Sequence, residues 1–132
     1  MKSLFVFRRD LRLEDNTALI QALSDSDQVI PCFILDPRQL ESNEYRSLNA
    51  IQFMFESLRE LNSELLENDS LLYLFKGKSE QVISQLLTHV DAVYLNRDYT
   101  PFSIKRDNSI KNLCLKSGKK FVLCDDLLLH RP

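Results

Sequence analysis

Residues 7–15, FRRDLRLED, form a dense run of alternating charge. Three arginines and three acids make up the run: Arg8, Arg9, Asp10, Arg12, Glu14 and Asp15. An arginine guanidinium presents N–H donors in a plane that matches the oxygens of carboxylates and phosphates. The run can therefore bind an anionic ligand, or it can pair its own charges across a solvated turn, where each exposed pair is worth about 0–1 kcal/mol. The residues alone leave both interpretations open and favour the solvated turn.

Other patterns that carry chemistry are missing from the sequence. Gly77 and Gly118 are its only glycines, so neither GxGxxG nor GxxxxGK[ST] occurs, and an ordinary dinucleotide or P-loop site is excluded. The two histidines, His89 and His130, are isolated, and we expect structural or solvated roles for them. No set of nucleophile and base and no metal-ligand cluster can be assembled, so we predict no catalytic and no metal-binding residue.

Cysteines and net charge exclude further classes of site. Cys32, Cys114 and Cys124 lie in apolar stretches without CxxC spacing, which favours buried, reduced thiols over a disulfide or a zinc site. The net charge of −2 argues against a domain-wide surface for nucleic acid. One basic cluster is interpreted as a solvated helix face, because acids elsewhere balance it. Its members are Lys105, Arg106, Lys111, Lys116, Lys119 and Lys120.

Hydrophobic periodicity supplies the elements that must position the charged run. Five short apolar runs are near-continuous, as strands buried on both faces of a parallel sheet are. They cover residues 4–7, 29–35, 71–75, 92–95 and 121–124. Helical patterns lie between them. We therefore predict an α/β fold: a doubly wound, Rossmann-like five-stranded parallel sheet in the order 3-2-1-4-5, with helices on both faces.

The helices are predicted from apolar spacing and capping residues. The longest covers residues 45–68, and its apolar stripe consists of Leu48, Ile51, Phe55, Leu58, Leu61 and Leu65. We expect Asp15 or Asn16 to cap the first helix and Ser79 to cap the helix after the third strand. Gly118 is expected to end the last helix.

Ligands of such a sheet bind at the carboxyl ends of its strands, near the point where the strand order reverses. Residues 8–15, 36–38 and 96–101 follow three of the predicted strands at this edge. The charged run at residues 7–15 therefore belongs to the candidate site.

The length of the chain and its terminal residues indicate how many domains it contains. A chain of 132 residues builds one ordinary domain. No apolar run approaches the ~20 residues of a membrane span, and the opening residues MKSLFVFRRD lack a signal-peptide core and cleavage site. We therefore expect a soluble, cytoplasmic protein. The closing residues DDLLLHRP resemble the start of a linker, so we expect the chain to be a fragment of something larger.

Four segments in the same order resemble the DNA photolyase and cryptochrome family. Residues 5–19, FVFRRDLRLEDNTAL, are similar to its N-terminal signature, an aromatic residue followed by R-[RQ]-D-L-R-x-x-D-N-x-A-L. Residues 53–61, FMFESLREL, resemble its long second helix. Residues 96–102, NRDYTPF, with KRD at 105–107, resemble the loop and helix after its fourth strand. Residues 125–132 resemble the entry to its interdomain linker.

This resemblance implies a division of labour between two domains. Residues 1–124 would be the photolyase-type α/β domain and residues 125–132 the start of the linker, with the larger helical domain that holds FAD and damaged DNA absent. The parent protein would be a deoxyribodipyrimidine photolyase, a carbon–carbon lyase that repairs pyrimidine dimers in light. The chain has no tryptophan for an electron relay to the flavin, so we expect the 132 residues alone to be inactive in repair.

The resemblance also implies that the α/β domain can hold a light-harvesting antenna chromophore. Family members that bind folate carry an Asn-Glu pair where this chain has Phe102 and Ser103, so a deazaflavin or flavin is favoured over folate, and an empty site stays open. Phe102 can pack on a planar ring while the loops supply polar edges. The candidate chromophore-binding residues are Arg8, Arg9, Asp10, Asp36, Asn96, Arg97, Asp98 and Phe102.

Two alternatives to a photolyase domain stay open at this point. A cryptochrome-like photoreceptor shares all four segments, so nothing in these residues separates it from a photolyase. A stand-alone α/β ligand-binding domain without light chemistry is the third interpretation. The expected partners are the missing FAD domain and, mainly through that domain, DNA; no membrane is expected.

Overall fold

The computed structural model describes residues 1–40 and 47–126 of the chain. Within these residues, five parallel strands form one sheet in the order β3-β2-β1-β4-β5. The strands are β1 (Lys2–Phe7), β2 (Gln28–Leu35), β3 (Tyr73–Lys76), β4 (Ala92–Asn96) and β5 (Lys120–Cys124). The helices are α1 (Thr17–Asp25), α2 (Pro37–Leu40), α3 (Leu48–Glu67), α4 (Ser79–Leu86) and α5 (Pro101–Lys116), with a 3₁₀ turn at Leu87–His89. The predicted fold class and strand order are confirmed.

Side chains of the central strands alternate between two cores, one on each face of the sheet. Phe5 packs on the face covered by α1 and α3, together with Leu61. Its neighbour Val6 packs on the other face with Ile83 of α4 and Ile110 of α5. Full burial of each such side chain contributes about 1.5–3 kcal/mol. The second of these cores holds α4 and α5 together on one face of the sheet.

The buried stripe of α3 differs from the predicted one at two positions. Leu48 and Phe55 are 79% and 45% exposed, whereas Met54 is buried beside Leu58. Residues 54 and 55 precede Leu58 by four and three positions, and both spacings satisfy a helical stripe, so periodicity cannot choose between them. Packing on the sheet selects Met54. The predicted start of the helix at residues 45–46 lies outside the described residues.

Strand β3 is not buried on both faces, which corrects the sequence prediction. Tyr73 and Leu74 are 46% and 60% exposed. In the described sheet β3 is an edge strand that pairs with β2 alone. An edge strand has a neighbour on one side only, and the helices pack over the centre of the sheet. A continuous apolar run therefore did not distinguish this edge strand from a central one.

Helix caps follow the sequence prediction in one case and depart from it in another. Asn16, and not Asp15, caps α1, because its Oδ1 accepts the N–H of Leu19 at 3.2 Å. Asp15 instead has a φ of 52°, in the left-handed region that Asp and Asn tolerate. Ser79 is the first residue of α4 and not its cap, and the preceding lysine makes no capping bond. The side chain that takes this role comes from another loop.

The last helix and the cysteines agree in the main with the sequence prediction. Gly118 follows α5 with a φ of 69°, a conformation that glycine adopts without strain. Cys32 and Cys114 are fully buried and Cys124 is half-buried, all three as free thiols. Burial raises the pKa of Cys114 to about 11. Over residues 1–40 and 47–126, no helix is long and apolar enough to cross a membrane.

Candidate functional site

A narrow cleft opens at the carboxyl edge of the sheet, on the face that α4 and α5 cover. Its apolar walls include Val6, Ile34, Ile83, Leu95 and Ile110. Its polar lining consists of Arg8, Arg9, Gln39, Ser79 and Arg106. The cleft encloses about 430 Å³ of empty space when its open mouth is counted, but its inner part has room for little more than one water molecule. It lies at the end of β1, where the strand order reverses and such folds bind ligands.

Arg8, the first residue after β1, is held across the sheet edge to α5. Its Nη1 donates to Asp107 Oδ1 at 2.5 Å, and its Nη2 donates to the backbone oxygen of Asn96. The Arg8 and Asp107 side chains are 9% and 5% exposed, so this ion pair is largely desolvated. Burial raises the pKa of Asp107 although Arg8 opposes the shift. Arg8 therefore fixes one wall of the cleft, with both of its Nη groups bonded within the protein.

Asp10, Asn16 and Asn96 form a buried hydrogen-bond network, called the loop network below. Asp10 accepts the backbone N–H of Arg8 at 2.7 Å and Asn96 Nδ2 at 2.5 Å. Asn96 Nδ2 also donates to Asn16 Oδ1 at 2.7 Å, while Asn96 Oδ1 accepts the N–H of Ala18 at 3.0 Å. The network joins the loop after β1, the start of α1 and the end of β4. It positions the loop and does not line the cleft.

Asp36, at the end of β2, ties the second loop to the start of α4. Its Oδ2 accepts both the N–H and the Oγ–H of Ser79, at 3.0 and 3.1 Å. Its two oxygens also accept Nε and Nη2 of Arg38, which in turn pairs with Glu80. Burial raises the pKa of Asp36, but the hydrogen bonds from Arg38 and Ser79 outweigh burial and hold it well below its usual range. Asp36 thus supplies the cap that α4 lacks from its own segment.

Asp98 stabilises the start of α5. Its Oδ2 accepts the Ser103 hydroxyl at 3.0 Å, and its Oδ1 lies 3.4 Å from the backbone nitrogen of Thr100. Arg9 Nη1 lies 3.6 Å from Asp98 Oδ1 and is nearly half exposed at the cleft. Asp98 therefore links the third loop to the cleft through Arg9.

Arg97 points to the surface and not to the cleft. Its Nε donates to Asp125 Oδ1 at 2.9 Å, and the two side chains are 41% and 64% exposed. The Tyr99 hydroxyl donates to the same Asp125 oxygen at 2.8 Å. An exposed pair of this kind stabilises a fold by at most about 1 kcal/mol.

Phe102 lies beside two guanidinium groups. The Cζ atoms of Arg38 and Arg106 are 5.0 and 5.3 Å from the centroid of its ring, within the range of a cation–π interaction. Phe102 is not among the described residues that line the cleft. Its ring therefore braces the arginines next to the cleft.

Arg106 corrects the prediction of a solvated basic helix face. The residue is only 4% exposed, whereas Lys105 and Lys111 of the same helix are exposed. Its guanidinium lines the cleft and makes one long hydrogen bond, from Nη2 to Ser103 Oγ at 3.3 Å. Its Nε lies 3.8 Å from Asp107 Oδ1. Burial, and then the neighbouring Arg8, lower the pKa of Arg106 to about 10.

Of the predicted binding residues, Arg8 and Arg9 line the cleft, and the structure brings them together with Ser79 and Arg106. The others hold loops, brace arginines or lie at the surface. Sequence reasoning missed Arg106 because a basic residue in a helix with several exposed lysines resembles its neighbours. One signal was available: Arg106 follows Phe102 by four residues in a helix that begins at the carboxyl edge.

Metal chemistry has no apparent site in the described part of the chain. Within residues 1–40 and 47–126, no group of three or more His, Cys, Asp or Glu side chains is placed to hold a metal ion. His89 is exposed in the 3₁₀ turn, and His130 lies outside the described residues.

Sequence comparison gives one family. A sequence model described as DNA photolyase matches residues 3–132. The chain is 35% identical over 131 residues to a deoxyribodipyrimidine photo-lyase of Synechococcus, covering 98% of this chain and 27% of that protein. It is 33% identical over 135 residues to a cryptochrome DASH of Xenopus laevis, covering 96% of this chain and 26% of that protein.

Comparison with solved structures gives the same family. An archaeal photolyase from Sulfolobus tokodaii, described with two FAD molecules and a novel light-harvesting cofactor, superposes with a TM-score of 0.90 at 52% identity, over 95% of this chain and 29% of that one. A class III photolyase from Agrobacterium tumefaciens superposes with a TM-score of 0.82 at 28% identity, over 99% and 27%. The chain spans about a quarter of the length of these relatives. It belongs to the DNA photolyase family and has the fold of that family's N-terminal α/β domain.

Proposed function

We propose that this chain binds a flavin-type antenna chromophore in the cleft between α4 and α5. The observation that carries the proposal is the cleft itself, with apolar walls and arginines at the end of β1, where the strand order reverses. Ligand sites typically combine apolar walls with a few convergent polar groups, as this cleft does. The photolyase from Sulfolobus tokodaii, 52% identical, is described with two FAD molecules and a light-harvesting cofactor.

The residues fit a planar ring in chemistry but leave little room for it. Ile83, Leu95 and Ile110 offer apolar contacts to a ring, and Arg9 and Arg106 offer N–H donors to its polar edge. The inner part of the cleft takes little more than one water molecule, so a ring enters only if the side chains at the mouth move aside. Arg9, nearly half exposed, is the cleft residue whose movement this would require.

The loop residues act indirectly in this proposal. Asp10 and Asn96 hold the first loop, and Asp36 holds the second loop against α4. Asp98 and Phe102 position Arg9 and Arg106, while Arg97 keeps the third loop near β5. The first five of these residues need not touch the chromophore to be required for its binding, and Arg97, at the surface, is not required.

The parent activity that we propose is light-dependent repair of pyrimidine dimers. In this proposal residues 1–124 form the α/β domain, residues 125–132 begin a linker, and a further domain holds FAD and contacts DNA. The 33% identity to a cryptochrome DASH keeps a photoreceptor as the second candidate. A dimer-repair assay on the full-length parent separates the two, and we expect the 132-residue chain alone to repair nothing. A cytoplasmic location stays a prediction from the N-terminal sequence.

The binding proposal is tested with the purified 132-residue chain. Riboflavin and FMN should lose fluorescence on binding, and 5,10-methenyltetrahydrofolate should bind more weakly. Ile110→Phe should abolish flavin binding because it fills the cleft, while Leu115→Phe, at a position 64% exposed on the same helix, should not. Circular dichroism checks that both variants fold. If Ile110→Phe binds flavin as tightly as wild type does, the chromophore does not bind in this cleft.

A further inference from the structure

Arg106 has unused hydrogen-bonding capacity at the wall of the cleft. A guanidinium carries five N–H donors. Among the residues that the structure describes, Arg106 uses one of them in a hydrogen bond, to Ser103 Oγ at 3.3 Å. Its side chain is 3% exposed, and none of its nitrogens is among the fully buried atoms that lack a partner in the described residues, so the remaining donors reach the space of the cleft. In the cleft these donors can bond to water, which an oxygen of a ligand would replace.

Arg8 and Arg38 use more of their donors within the protein than Arg106 does. Arg8 donates to Asp107 and to the backbone of Asn96, and Arg38 donates to Asp36 and Glu80. The nearest carboxylate oxygen to Arg106, Asp107 Oδ1, is already held by Arg8 at 2.5 Å and lies 3.8 Å from Arg106 Nε. The Phe102 ring interacts with the guanidinium but accepts none of its in-plane N–H groups in the way an oxygen does.

The surroundings of Arg106 indicate what kind of oxygen would meet it. The cleft walls include five aliphatic side chains, which a ring contacts more favourably than a hydrated phosphate does. The nearby start of α4 is a poor phosphate site, because its first N–H is already bonded to the Asp36 carboxylate and Glu80 adds a second negative charge. Burial lowers the pKa of Arg106 to about 10, and an oxygen acceptor in the cleft would relieve that cost.

We propose that Arg106 is a specificity-determining residue, whose spare N–H groups bind the carbonyl-oxygen edge of a planar heteroaromatic chromophore and thereby select rings with such oxygens over rings without them. This inference rests on the proposed function, since it names the residue that selects the chromophore of the same cleft. Any phosphate of the chromophore then lies toward the solvent and makes no bond with Arg106.

The test uses three ligands and four forms of the 132-residue chain. Riboflavin carries ring carbonyl oxygens, FMN adds a phosphate, and phenazine is a three-ring heterocycle without oxygen. Wild type is compared with Arg106→Met, with Arg106→Lys, and with Lys105→Met, which removes a charge from the adjacent exposed position. Asp107 keeps Arg8 as its partner in every variant. Dissociation constants are measured by fluorescence or calorimetry.

Arg106→Met should weaken riboflavin and FMN by the same factor, at least about tenfold, which is the loss expected for a charged hydrogen bond. Phenazine should bind wild type and Arg106→Met equally. Arg106→Lys should recover part of the flavin affinity, and Lys105→Met should change nothing. If Arg106→Met does not fold, as judged by circular dichroism, the lysine variant still carries the test through a smaller loss confined to the two flavins.

Four results would overturn the inference. Equal losses of phenazine and riboflavin would mean that Arg106 only shapes the cleft. A loss confined to FMN would make the phosphate its partner. Unchanged riboflavin affinity would remove Arg106 from the site while leaving the proposed function intact. Wild type that binds neither flavin would overturn the proposed function and this inference with it.

Discussion

The loop network and Arg106 are both buried polar features at the carboxyl edge of the same sheet, yet they differ in what remains unbonded. In the loop network, Asp10, Asn16 and Asn96 bond to one another and to nearby backbone groups. Arg106 lines a cleft and makes one long hydrogen bond to the residues that the structure describes. The difference teaches that burial of a polar group does not by itself mark a binding site. Spare hydrogen-bonding capacity beside a cleft is the more specific sign.

The largest effect is expected at Asp10, in the loop network. Asp10→Ala should lower the free energy of unfolding by about 3 kcal/mol, because it removes an acceptor and leaves buried donors of Arg8 and Asn96 unpaired. Urea unfolding at pH 7 measures the loss. Glu14→Ala, at an exposed position of the same loop, is the control and should stay within about 0.5 kcal/mol of wild type. Similar small losses for both variants would mean that the loop network stabilises the fold no more than an exposed position of the same loop does.

Asn16 should have the next largest effect, because it is both a cap and a member of the network. Asn16→Ala should cost about 2 kcal/mol, the upper end for a cap, since Asn96 Nδ2 loses an acceptor as well. Ser47, the exposed cap of α3, provides the matched case, and Ser47→Ala should cost about 1 kcal/mol or less. Thermal or urea unfolding compares the two. Equal costs would mean that the network adds nothing to capping.

Asp36 should make the free energy of unfolding depend on pH. Burial opposes ionisation of Asp36, but hydrogen bonds from Arg38 and Ser79 lower its pKa below the unfolded value near 3.9. Its carboxylate therefore stabilises the fold above about pH 4, and that stabilisation is lost as the pH falls further. The stability difference between wild type and Asp36→Asn should stay constant from pH 7 to 5 and shrink below pH 4. Glu67→Gln, at an exposed position, should follow wild type throughout.

The smallest effect is expected at Arg97, which belongs to neither feature. Its pair with Asp125 is exposed, so Arg97→Ala should change the free energy of unfolding by about 0.5 kcal/mol or less. Flavin affinity of the variant should equal that of wild type, because Arg97 does not line the cleft. A loss of affinity in this variant, measured by fluorescence titration, would show that the third loop acts on the chromophore.

The fold could be predicted because its determinants are local. Apolar runs separated by helical patterns, together with right-handed crossovers, allow few topologies, and the order 3-2-1-4-5 was among them. Asn16 could be named as one of two cap candidates, since capping depends on a few adjacent residues. The predicted order already placed the third strand at an edge, but its continuous apolar run gave no sign that Tyr73 and Leu74 are exposed there.

The sequence by itself determined the α/β class, the edge of the sheet that carries the charged loops and, through its ordered segments, the family. Only the tertiary structure decided which charged residues form most of their hydrogen bonds within the protein and which keep donors available to a ligand. Arg8 finds Asp107 ninety-nine positions along the chain, and Asp36 caps a helix that begins forty-three positions later. Hydrogen-bond saturation depends on partners brought together by folding, so Arg106 resembles its lysine neighbours in sequence and differs from them only in place.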